Sequence, residues 1–81
     1  MIEIWEPRYR DKKVLVACYK IPSGKGVEVK ICKGAYKGAY EVSHETVISA
    51  PIERMNTRRG GSIEIRAIPL AKLTRKATNN D

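Results

Sequence analysis

Residues 26–42, GVEVKICKGAYKGAYEV, constrain the fold more than any other stretch, because apolar and polar positions alternate on both sides of a glycine-bearing turn. Val27, Val29 and Ile31 fall on one side of a strand and Glu28, Lys30 and Cys32 on the other; beyond the turn, Tyr40 and Val42 return to the first side. This pattern predicts a β-hairpin. A chain of 81 residues has room for one hydrophobic core. With four tyrosines, one tryptophan and no phenylalanine, that core must be built from valine, isoleucine, leucine and whichever aromatic side chains turn inward. Trp5 is expected among them.

The remaining elements follow from local signals. Residues 1–5 read as a short strand ended by Pro7, and 6–13, EPRYRDKK, as an aperiodic polar loop. Residues 14–21, VLVACYKI, read as a central strand that pairs with 26–32 across the loop 22–25. In that register Val14, Val16 and Cys18 share a face with Val27, Val29 and Ile31, and Leu15, Ala17 and Tyr19 lie on a second, half-covered face. Cys18 and Cys32 then point to opposite faces about 10 Å apart, which disfavours a disulfide and suits two reduced, partly buried thiols.

Ser43 is placed to cap a short helix over 44–49, closed by Pro51, with Val47 and Ile48 as its apolar contacts. Residues 51–57 and 62–68 form a second hairpin around Arg58-Arg59-Gly60-Gly61, and Pro69 opens a helical turn over 70–73. Residues 1–73 are thus expected to form a single domain, with 74–81 a disordered C-terminal tail. Five or six short strands separated by turn signals predict a mostly-β fold, a small barrel or strongly bent antiparallel sheet of the SH3-like or OB-like kind, with one short helix near 44–49. An open α+β sandwich with the helix on one face meets the same pattern.

Sixteen Lys and Arg against nine Asp and Glu give a net charge of +7, a balance that favours polyanions through counterion release and steering. No apolar run reaches membrane-spanning length and the first residues lack a secretory pattern, so a cytoplasmic location without a membrane partner is expected. The chain has one histidine and no Cys or carboxylate cluster at metal-ligand spacing. No acid, base and nucleophile set converges, so no catalytic residue, metal or cofactor is expected, and His44 reads as a surface side chain.

Three surfaces stand out. In Lys33-Gly34-Ala35-Tyr36-Lys37-Gly38 the glycines let backbone amides approach a ligand, Lys33 and Lys37 supply charge, and Tyr36 supplies a stacking face. The same residues also make an ordinary soluble hairpin tip, and they do not form a P-loop. Arg54, Arg58, Arg59 and Arg66 gather on the second hairpin; arginine suits bidentate phosphate contacts, and such charges also protect an exposed strand from aggregation. Trp5, Tyr9 and Tyr19 would form a third surface if Trp5 were exposed.

Residues 27–42 resemble the KOW motif of ribosomal proteins and transcription elongation factors, through Lys37-Gly38 followed by Tyr40 and Val42. The resemblance covers about a fifth of the chain and implies an SH3-like strand-loop-strand unit that contacts RNA or protein. The expected function is therefore a small, basic, non-catalytic accessory module that binds RNA or DNA through Lys33, Tyr36, Lys37, Arg54, Arg58, Arg59 and Arg66. The alternative is a protein-interaction or homo-oligomeric assembly module that uses an exposed strand edge.

Overall fold

Two curled sheets face each other across an aliphatic core in the computed structural model, which describes residues 1–76. The strands are β1 (Ile2–Ile4), β2 (Tyr9–Arg10), β3 (Lys13–Ala17), β4 (Gly26–Ile31), β5 (Gly38–Ser43), β6 (Ile52–Asn56), β7 (Ser62–Pro69) and β8 (Thr74–Arg75), with helix α1 (His44–Ser49) between β5 and β6. One sheet runs β1-β4-β5-β8 and the other β2-β3-β7-β6. The β1–β4 ladder is parallel, and the others among the described residues are antiparallel. Among the described residues the fold is mostly β with one short α-helix, as expected, but with eight strands in two sheets where the sequence suggested five or six.

The β4–β5 hairpin has the expected faces. Val27 lies opposite Val42, Val29 opposite Tyr40 and Ile31 opposite Gly38, and the five larger side chains of this set are buried. Val14, Val16 and Ile68 meet them from the second sheet, with Ile2 and Val47 completing the core. Each such burial contributes roughly 1.5–3 kcal/mol, so a few β-branched residues carry much of the fold.

The stretch 14–21 departs from expectation. Its strand ends at Ala17, Cys18–Lys20 turn as a 3-10 helix, and β3 pairs with β2 and β7 rather than with β4. Val14 and Val16 do share a core with Val27 and Val29, but across the gap between sheets instead of side by side. The supposed loop 6–13 contains β2, which turns back into β3 through Asp11 and Lys12, at φ 50° and 60°. Two consecutive left-handed residues suit a tight two-residue hairpin turn. Cys18 and Cys32 are free and half-buried.

The second sheet curls strongly. β2 and β6 lie at its opposite edges, yet Arg10 of β2 forms an ion pair with Glu53 of β6. In a flat sheet three inter-strand spacings, about 14 Å, would separate those strands. The curl encloses a second, smaller apolar cluster on the face away from the main core, where Ile65 and Ala67 are buried beside half-buried Leu15, Met55 and Ile63. No backbone ladder joins β2 to β6 among the described residues, so the half-barrel has a seam.

Helix α1 spans the expected residues. The Ser43 hydroxyl accepts from the Thr46 N–H at 3.1 Å and lies 2.7 Å from the Thr46 hydroxyl, which shares a hydrogen bond with it. Val47 is buried, whereas Ile48 is 51% exposed and makes no core contribution; a six-residue helix presents too short a face to seat both. Ser43→Ala is expected to lower stability by about 1 kcal/mol, seen as a lower denaturant midpoint at unchanged slope.

The tail boundary also shifts. Thr74 and Arg75 pair with β5, the Lys76 N–H bonds to the Ala39 carbonyl at 2.9 Å, and the Lys76 ammonium bonds to Glu28. That contact holds the Glu28 carboxyl below its ordinary pKa and raises that of Lys76. The rest of the expected tail, 77–81, lies outside the described residues.

Candidate nucleic-acid interface

The β4–β5 turn is built from the backbone outward. Gly34 takes φ 94°, a left-handed value that a side chain would strain, and its carbonyl accepts from the Lys37 N–H at 3.1 Å. The Tyr40 hydroxyl donates to the Tyr36 carbonyl at 2.6 Å and receives Arg75 Nη2 at 3.1 Å, while the Arg75 guanidinium lies 5.2 Å from the centre of the Tyr40 ring. Gly38 takes φ 152°, a backbone value that a side chain would strain, and a Cβ there would lie 3.0 Å from the end of the Arg75 side chain. The turn is thus fixed from behind by Tyr40 and Arg75. Its outer side carries Lys33, Tyr36 and Lys37, all exposed, and neither lysine forms an ion pair with a described residue.

The Tyr36 ring packs against Tyr9 of β2, with centroids 5.3 Å apart and planes tilted by 57°. Both rings remain partly in solvent. Partial burial pushes the Tyr9 hydroxyl above its ordinary pKa, with smaller contributions from Tyr36 and Tyr40, so the phenol stays uncharged to a higher pH.

The second basic group divides. Arg58 and Arg59 occupy the tip of the β6–β7 hairpin, exposed and without an ion pair among the described residues. Arg54 sits on β6, where Nη1 donates to Ser62 Oγ at 3.3 Å and Nη2 lies 4.0 Å from Glu64, a loose surface pair. Arg66 is engaged on α1 through one guanidinium nitrogen. Its Nη1 donates to the Ile48 carbonyl at 2.8 Å, the Val47 carbonyl at 3.5 Å and the Ala50 carbonyl, so it closes the C-terminal end of α1.

Arg8, from the basic N-terminal loop, and Tyr9, expected in an aromatic surface with Trp5 and Tyr19, connect these groups although neither is among the seven expected contact residues. Arg8 lines a cavity with Asn56, Thr57 and Arg58, and its chain neighbour Tyr9 packs against Tyr36. The segment Arg8–Tyr9 therefore stands between the β4–β5 turn and the β6–β7 tip. Its signal in the sequence is the run Arg8-Tyr9-Arg10, an aromatic between two cations. The expected core placement of Trp5 is also overturned. It is 62% exposed, because Ile2 and Ile4 take the inward side of β1 and alternation sends the next residue outward.

No group of three or more His, Cys, Asp or Glu among the described residues is arranged to hold a metal ion. No helix among them is long and apolar enough to cross a membrane. Comparison with protein-family models, curated proteins and solved structures finds no match, so the likeness of residues 27–42 to the KOW motif assigns no family.

Proposed function

We propose that the protein is a non-catalytic module that binds RNA or DNA along a cationic strip. The strip runs from Lys33 and Lys37, over the Tyr36–Tyr9 pair and Arg8, to Arg58 and Arg59. The observation that carries this reading is the 5.3 Å packing of Tyr9 on Tyr36, which brings two basic groups distant in sequence to the two sides of one short segment. Cations without acidic partners release counterions from a phosphate backbone, and partly exposed tyrosine rings offer bases a stacking surface. Arg54 flanks the strip with a weak ion pair that a phosphate can displace.

The test is anisotropy of labelled oligonucleotides titrated at low and rising salt. Replacing Arg58 and Arg59 together by Ala is expected to weaken binding alike across sequences and to reduce the log–log salt slope by about 1.4–1.8. Lys25 and Lys72 line a cavity with Gly26 and Ser43, at the other end of the hairpin from the turn, and supply the control pair. Equal losses from that pair would reduce the proposal to overall charge, and no binding at low salt would end it. A protein-docking or self-assembling module, the second reading, draws on the open edge of β6 and the half-exposed Ile52 there. Light scattering over a range of protein concentrations separates the two.

A further inference from the structure

Trp5 and Tyr19 are 62% and 78% exposed and line one groove with Ile4, Leu15, Met55 and Ile63, beside the small cluster inside the curl. Leaving these two rings in water is costly to a chain without phenylalanine, since their burial would add substantially to a thin core. The groove's rim is charge-balanced, with Glu3 and Glu6 against Arg8 and Lys20. A phosphate backbone gains little along such a rim. Uncharged, flat nucleobases gain more, because the aromatic faces stack on them and carboxylates accept from their amino groups.

Arg8 lines both this groove and the cavity that holds Arg58, so the groove opens directly onto the cationic strip. A ligand lying on the strip can thus keep its phosphates at Arg8 and Arg58 and turn its bases into the groove. Bases inside a duplex are stacked on one another and have no free face to offer. Building on the binding reading above, we infer that the ligand is single-stranded nucleic acid, with bases seated against Trp5 and Tyr19.

Trp5 is the only tryptophan, so emission excited at the red edge of indole absorption, where the four tyrosines do not absorb, reports on the groove alone. The full chain is titrated with oligo(dT), oligo(U) and a duplex of equal length, with emission and anisotropy followed in parallel. Single strands are expected to quench Trp5 and to bind more tightly than duplex. Trp5→Ala and Tyr19→Ala should each weaken single-strand binding between about fivefold and about a hundredfold while leaving the salt slope unchanged, since stacking and not charge is removed. Circular dichroism of both variants checks that the sheets persist.

Equal affinity for duplex, or tight single-strand binding with Trp5 emission unmoved, overturns the inference and leaves the cationic strip standing. A Trp5 shift produced by protein concentration alone, with a dimer in light scattering, assigns the groove to a second copy and likewise overturns it. Absence of binding to every oligonucleotide at low salt removes the underlying function as well.

Discussion

Replacement of Ile31 by Ala is expected to bring the protein close to unfolding, with a loss of about 2–5 kcal/mol. A domain of this length has roughly 4–12 kcal/mol of stability in total, so this one change removes a large share of it. Ile31 is 1% exposed and belongs to the core cluster. Directly across the β4–β5 ladder stands Gly38, which has no side chain to move into the space, and Arg75 crowds the position where one would begin. On the other side Ile4 of β1 is already half-buried in its own place. The cavity therefore stays open, which puts the cost toward the upper part of the range. Ile48→Ala supplies the contrast, because the same chemical change at a half-exposed helical position should move stability by less than about 0.5 kcal/mol. Denaturant midpoints at matched slopes check both. Similar midpoints for the two variants would mean that the aliphatic core has been wrongly placed.

The β4–β5 hairpin was legible in the sequence because its partners are neighbours along the chain and its turn sets their register. Val27, Val29, Ile31, Tyr40 and Val42 could alternate in step only if the two runs paired. The partner of β3 was hidden for the converse reason. Val14 and Val16 show the same alternation whether their strand lies beside β4 or faces it across a core, and β7, the true neighbour, comes much later in the chain. β2 is two residues long, too short to show a period, and its turn uses Asp11 and Lys12 where a glycine would have given a signal.

For Trp5 two signals conflict: the alternation of Ile2 and Ile4 puts it on the outer side of β1, and the scarcity of aromatic residues argues for burial; the local pattern prevails. Among the candidate site residues, Lys33, Tyr36 and Lys37 were accessible to sequence reasoning because one turn carries them all. The role of Arg8 was not, since its proximity to Arg58 exists only once the second sheet has curled. Arginine content alone also cannot distinguish a side chain free for a ligand from one already engaged with backbone carbonyls.

Arg66 is where that distinction has the largest consequence. Replacing it by Met is expected to lower stability by about 1.5–3 kcal/mol and to leave nucleic-acid affinity at a fixed folded fraction unchanged. The last carbonyls of a helix have no partner within it and form the negative end of its dipole. In α1 the Val47 carbonyl accepts from the Ala50 N–H that follows the helix, and Nη1 of Arg66 reaches it together with the Ile48 and Ala50 carbonyls from the neighbouring β7. Six residues are too few to hold a helix by themselves, so this contact and the burial of Val47 are what fix α1 to the sheets. Methionine keeps much of the apolar stem and isolates the loss of the charged donor. Lysine restores the charge but offers a compact ammonium in place of a planar fork, and should recover only part of the stability. The salt slope of nucleic-acid binding separates this structural role from the one its sequence suggested. If Arg66→Met leaves the denaturant midpoint alone and reduces the slope by about 0.7 on single strands or about 0.9 on duplex, Arg66 is a phosphate contact after all; if the midpoint falls and the slope holds, its guanidinium belongs to the helix.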